Sequence, residues 1–244
     1  MYGKVEILGI KIDNVDMDEA ADILSGFLHG NTYSKVFTPN SEILLEAVRD
    51  REFEGILNSG QLVVPDGIGV VVASKFYGTP LKERVAGMDL MMRLMNIADS
   101  QGRSIYLLGG REGVAEEAAI KLTEEYGGLK IAGTRNGYFD SDEEESIINE
   151  INSSNADILL AALGAPKQER FICKHSDRLK VKIAMGVGGS LDVLAGKVKR
   201  APVFYQKAGL EWLYRLIKEP RRIVRVMGIP KFIALAFFDA KSKL

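Results

Sequence analysis

The residues with chemical potential in this chain cluster directly after short apolar runs: Thr38-Pro39-Asn40, Pro65-Asp66-Gly67, Gly109-Gly110, Gly164-Ala165-Pro166-Lys167-Gln168 and Gly186-Val187-Gly188-Gly189. Asp66 is a carboxylate suited to general-base work, taking a proton from a hydroxyl nucleophile, which is worth roughly 10²–10⁴ in rate. Its neighbours also suit a plain helix cap ahead of Gly67. Thr38, Asn40 and Gln168 are neutral hydrogen-bonding side chains of the kind that orient a polyhydroxylated ligand, and the same types also build turns. Arg84, in Arg84-Val85-Ala86-Gly87, is suited to clamp a phosphate or to pair with a carboxylate.

Several other chemistries are disfavoured by the same reading. Asp-x-Asp occurs at Asp16-Met17-Asp18 and Asp140-Ser141-Asp142. Both pairs open acidic helix starts, where capping and the helix dipole account for them, so no metal site is expected. The lone Cys173 with His29 and His175 assembles neither a disulfide nor a His/Cys zinc site. No G-x-x-x-x-G-K-[ST] phosphate loop is present, and Gly109-Gly110-Arg111-Glu112-Gly113 lacks the dinucleotide spacing, so no cofactor is expected.

The elements that must hold these residues alternate short apolar runs with longer amphipathic stretches, the pattern of a parallel α/β sheet. Strands are expected at Lys35–Phe37, Gln61–Val64, Ser104–Leu108, Lys130–Gly133, Asp157–Leu163 and Lys182–Met185. Helices are expected between them, among them Glu112–Tyr126 and Glu143–Ile151, and a strand or hairpin over Val5–Val15 precedes a helix opened by Asp16. The chemical residues then all lie at carboxyl ends of strands, where open α/β sheets bind ligands and helix N-termini offer free N–H groups to phosphate. A nucleotide-bearing substrate follows from that layout.

The formal net charge of −1 conceals a split. Residues 1–196 carry 20 basic against 30 acidic side chains, whereas 197–244 carry 12 against 3. The division expected is an α/β core over 1–196 and a basic helical appendage over 197–244. Val203, Leu210, Leu213 and Ile217 recur at helical spacing, with Trp212 and Tyr214 as interfacial aromatics, and Ile229–Phe238 is apolar but interrupted by Pro230 and Lys231. That stretch is too short and broken to span a bilayer and suits an amphipathic segment lying among anionic headgroups. A cap on the core or a homo-oligomer interface has the same signature, and so has the tail of a non-enzymatic adaptor. No secretory signal is evident, and one cysteine fits a reducing compartment, so a cytoplasmic protein at the inner face of the cell membrane is expected.

Taken together and in order, Thr38-Pro39-Asn40, Pro65-Asp66-Gly67, Arg84-Val85-Ala86-Gly87-Met88-Asp89, Pro166-Lys167-Gln168-Glu169 and Arg200-Ala201-Pro202 resemble the WecG/TagA/CpsF family of bacterial glycosyltransferases over nearly the whole chain. The resemblance implies a Rossmann-like, mostly parallel sheet flanked by helices. It also implies inverting, metal-independent transfer of N-acetylmannosamine from UDP-N-acetylmannosamine to the 4-hydroxyl of N-acetylglucosamine on undecaprenyl diphosphate. Family members also transfer N-acetylmannosaminuronic acid or hexoses. On the matching positions the resemblance puts the essential carboxylate at Asp66 and substrate-positioning groups at Thr38, Asn40, Arg84 and Gln168. Tyr138 and Asp192 fall near the nucleotide. Arg215, Arg222 and Arg225 are expected to neutralise the leaving diphosphate, a task that falls to cationic side chains where no metal serves. No nucleic-acid partner is implied.

Overall fold

The structure is a computed structural model that describes residues 2–218, 220 and 223–243, and of Lys207, Arg215, Val224 and Arg225 the backbone alone. A hairpin opens the chain: β1 (Lys4–Ile7) and β2 (Ile10–Asp13) pair antiparallel with Ile7 opposite Ile10. Leu8 and Gly9 join them with φ of +51° and +85°, the left-handed pair that a two-residue hairpin turn requires. Val5, Ile7, Ile10 and Ile12 are buried, as period-two alternation dictates. Asp16 then caps α1 (Met17–His29) through a capping box, accepting from Glu19 N at 2.8 Å while Glu19 Oε2 accepts from Asp16 N at 2.9 Å.

Strands and helices alternate from there. In order come β3 (Ser34–Phe37), α2 (Ser41–Arg49), α3 (Arg51–Asn58), β4 (Leu62–Val63), α4 (Ile68–Ser74), α5 (Gly87–Ser100), β5 (Ser104–Gly109), α6 (Val114–Glu125) and β6 (Lys130–Arg135). They are followed by α7 (Glu144–Ser153), β7 (Ile158–Ala162), α8 (Lys167–Lys174), β8 (Ile183–Gly186) and α9 (Ser190–Leu194). Strands β3 to β8 form one sheet in the order β4-β3-β8-β7-β5-β6, every pair parallel. The sheet is Rossmann-like, as expected, with the expected strands shifted only at their ends. The second acidic pair also caps: Asp140 and Glu143 form a capping box on the turn of 3-10 helix at Ser141–Glu143.

Apolar side chains fill both faces of the sheet, which is why its strands read as continuous hydrophobic runs. One face carries Leu44, Phe53, Ile147, Phe171 and Phe232, and the other carries Leu24, Leu90, Leu94, Leu122 and Leu191. At the edge strand β4, Val63 N donates to Asp13 Oδ2 at 2.8 Å, so a side chain from the hairpin satisfies a ladder position that has no strand beside it.

The basic segment forms α10 (Val203–Lys207), α11 (Glu211–Lys218), α12 (Ile223–Val226) and α13 (Gly228–Ser242). Pro230 does not interrupt it. The proline is the third residue of α13, in a first turn whose N–H groups have no helical acceptor to lose. Helix α13 packs against α2 and α4, and its Phe232, Ala236 and Ala240 are buried. Tyr77 Oη pins the far end by donating to Asp239 Oδ2 at 2.7 Å. Among the described residues no helix is long and apolar enough to cross a membrane.

Candidate functional site

Because all strands of the sheet run the same way, the loops after them share one rim, and two cavities open on it. The narrower, of about 190 Å³, lies beyond β3 and β4 and is lined by Asn40, Asp66, Gly67, Arg84, Glu211 and Trp212 among others. The wider, a cleft of about 1070 Å³, lies beyond β5, β6, β7 and β8 and includes Gly110, Tyr138, Gly164, Gly188, Gly189 and Asp192 in its walls.

Backbone stitching places Asp66. Val64 N donates to Phe37 O at 3.0 Å, Asp66 N to Pro39 O at 3.1 Å, and Val85 N to Pro65 O at 3.0 Å, so the loops carrying Thr38, Asp66 and Arg84 are tied together. The N-cap position of α4 falls to Gly67, directly after Asp66. Asp66 and Thr38 converge on the first residue of α5. A methyl group added at Gly87 would sit 2.7 Å from Thr38 Oγ1 and 3.0 Å from Asp66 Oδ2, so only glycine lets the helix end come this near both.

Asn40 serves structure and cavity together. Its Oδ1 caps α2, accepting from Glu42 N at 2.9 Å and Ile43 N at 3.1 Å, which leaves the amide nitrogen as its donor toward a ligand. Arg84 pairs with Glu211, Nη2 to Oε2 at 3.3 Å, in the wall of the same cavity. Glu211 in turn meets Arg200 Nε at 3.4 Å. Arg200 Nη2 lies 2.6 Å from Asp89 Oδ1, close but poorly aligned for a hydrogen bond. Four alternating charges therefore run Arg84, Glu211, Arg200, Asp89, joining the Arg84–Asp89 motif to the Arg200 motif through the start of α11.

Gln168 lies in the first turn of α8, after the carboxyl end of β7. It is buried near the end of β8, its Nε2 donates to Glu169 Oε1 at 2.8 Å, and its Oε1 accepts from Gly188 N at 3.0 Å. Gly186 makes room for it, since a Cβ there would lie 2.7 Å from Gln168 Nε2. In this arrangement Gln168 holds the glycine loop of the wide cleft. Glu169 is itself buried, with Oε2 lacking a hydrogen-bond partner among the described residues. Burial pushes its carboxyl up from the ordinary value, against the opposing hydrogen bond from Gln168.

Tyr138 stands 72% exposed on the lip of the wide cleft and Asp192 opens α9 in its wall, so these two share a cavity while Asp66, Asn40 and Arg84 share the other. Arg222 lies outside the described residues, and so do the side chains of Arg215 and Arg225; the backbones of these two belong to α11 and α12. Sequence reasoning missed Glu211, Glu169 and the spacer role of Gly87. The last two belong to motifs quoted above. Trp212, read as an interfacial aromatic, lines the narrow cavity. Among the described residues no three His, Cys, Asp or Glu side chains gather in a metal-binding group.

A sequence-family model described as "Glycosyl transferase WecG/TagA/CpsF family" matches residues 5–244. A protein of Bacillus spizizenii named N-acetylglucosaminyldiphosphoundecaprenol N-acetyl-beta-D-mannosaminyltransferase is 38% identical over 85% of this chain and 80% of its own. A protein of the same name from Bacillus subtilis is 36% identical over the same shares. Another from Staphylococcus aureus is 35% identical over 94% of this chain and 91% of its own.

Proposed function

Because the chain belongs to the WecG/TagA/CpsF family of glycosyl transferases, we propose that it moves N-acetylmannosamine from UDP-N-acetylmannosamine to the 4-hydroxyl of N-acetylglucosamine on undecaprenyl diphosphate. The acceptor and the transferred sugar are those in its relatives' name. The observation that carries the reading is the convergence of Asp66 and Thr38 at Gly87, beside a cavity whose wall holds Arg84. A base, a hydroxyl for orientation and a guanidinium for phosphate are what a single displacement at a sugar carbon needs.

In this mechanism the nucleotide lies in the wide cleft, between Tyr138 and Asp192, and its sugar reaches the narrow cavity. Asp66 takes the proton from the acceptor hydroxyl. The oxygen forms its bond to the anomeric carbon as the bond from that carbon to the UDP oxygen breaks on the opposite face, so the configuration inverts. Thr38 and Asn40 orient the sugars, and Gln168 acts by holding the loop at Gly188. Negative charge growing on the departing diphosphate is met by Arg84 and by Arg215, Arg222 and Arg225 of the tail, without a metal.

The tail also brings the enzyme to its lipid-linked acceptor. Phe204, Ile217, Met227 and Phe238 are exposed on a segment with 12 basic residues, a composition suited to lying in an anionic lipid surface. On this reading residues 197–244 serve both attachment and completion of the site.

The test is UDP release from UDP-N-acetylmannosamine with and without a short-chain lipid diphosphate N-acetylglucosamine acceptor. Acceptor-dependent release that falls by roughly 10²–10⁴ in Asp66→Asn, with an unchanged melting temperature, supports the reaction and the base. Absence of release from folded wild type, across several UDP-sugars and with lipid present, sinks it.

A further inference from the structure

We propose that Glu211 occupies the position that a substrate phosphate takes on Arg84, so that diphosphate binding is an exchange of one anion for another. The inference rests on the functional reading above, which makes a diphosphate the ligand of this cavity.

Three observations carry it. First, Glu211 reaches the wall of the Asp66 cavity and pairs there with Arg84 at 3.3 Å. A carboxylate left in that place would repel an arriving diphosphate, so the two anions compete for one guanidinium. Second, the Arg84 and Glu211 side chains are only 15% and 17% exposed, so the pair is shielded enough from solvent to hold in the absence of substrate. Third, the exchange leaves no bare charge. Glu211 spends one oxygen, Oε2, on Arg84 and the other, Oε1, on Arg200 at 3.4 Å, and Arg200 is braced by Asp89 at 2.6 Å. When a phosphate takes Arg84, Glu211 keeps Arg200 as its counterion.

A diphosphate has the advantage in that competition, since it carries more charge than one carboxylate and offers a guanidinium two acceptor oxygens at once. The exchange also moves information along the chain. Glu211 is the first residue of α11, which carries Trp212 and Arg215, so releasing its hold on Arg84 loosens the tail from the cavity wall when the donor has arrived.

Calorimetric titration of the full chain with inorganic pyrophosphate, at fixed ionic strength, tests this without any catalysis. Glu211→Gln should bind pyrophosphate about tenfold tighter than wild type, the scale on which one charged hydrogen bond shifts an equilibrium. Arg84→Gln should lose most of the binding, and the double variant should behave as Arg84→Gln does. If Glu211→Gln does not fold, Glu211→Asp, whose carboxylate is drawn back by one methylene, should show the same direction of change. Equal or weaker binding in the folded Glu211 variant overturns the exchange and makes Glu211 a support for Arg84. Pyrophosphate exchange seen in a protein that releases no UDP would instead keep this inference and overturn the functional reading.

Discussion

Arg84 and Glu211 meet at 3.3 Å although one lies in the loop before α5 and the other begins α11, so the basic tail forms part of the wall around Asp66. Replacing Arg215, Arg222 or Arg225 singly with Gln should lower acceptor-dependent UDP release by about 10²-fold, the usual cost of removing one group that stabilises charge in the transition state. Steady-state turnover beside a thermal melt reads this. Unchanged turnover in all three would assign the leaving-group charge to other residues.

Gly87→Ala is the sharpest test of the Asp66 geometry. The added methyl would stand 2.7 Å from Thr38 Oγ1 and 3.0 Å from Asp66 Oδ2, so the base and its neighbour must shift to admit it. Turnover should drop on the order of 10²-fold with little change in the affinity for UDP, because displacement of a reacting group by about 1 Å costs that much. Wild-type turnover in this variant would mean that Asp66 works in some other rotamer.

Glu169 gives the fold a pH dependence with a definite sign. Burial raises its carboxyl in the folded state, so its contribution is complete below the ordinary value of 4.5 and is lost as pH rises through the higher folded value. Glu169→Gln keeps the acceptor for Gln168 and removes the titration. The variant should therefore melt at a higher temperature than wild type at neutral pH, with the two curves converging below about pH 4.5. A gap between Glu169→Gln and wild type that does not widen from acid to neutral pH would contradict the burial of a titrating group at Glu169.

Phe232 anchors α13 in the core. Phe232→Ala should cost about 3–5 kcal/mol in urea unfolding, the range for emptying a buried aromatic site. The same packing makes point substitutions a cleaner probe of the tail than truncation after Gly196, which would strip α13 from α2 and α4 and uncover their apolar faces. A loss below about 1 kcal/mol would mean that the helix is not held through this side chain.

The sheet was legible because its inner strands are buried on both faces and its turns are marked by glycine and proline; Ser104–Gly109 and Ile158–Ala162 could hardly be anything else. Both Asp-x-Asp pairs were legible as caps, since capping is a local affair between residues three apart. The docking of α13 was not, because an apolar stripe such as Phe232, Ala236 and Ala240 reads alike whether it meets lipid, a second subunit or its own core. The hydrogen bonds of Gln168 to Glu169 and Gly188 were not legible, because residue type names a donor and an acceptor without saying where they point. The pairing of Arg84 with Glu211 depends on where the tail crosses the rim, which no local pattern encodes.

The Asp13 carboxylate at the border of β4 has a consequence for the behaviour of many copies together. A border strand with an unsatisfied N–H is a template on which a strand of another molecule can add, the first step of edge-to-edge aggregation. Here the strand is only two residues long, and Asp13, itself held by Lys4 at 3.1 Å, already occupies the Val63 N–H. The hairpin thus acts as a plug on this border of the sheet, occupying the N–H on which a strand of another copy would start to add.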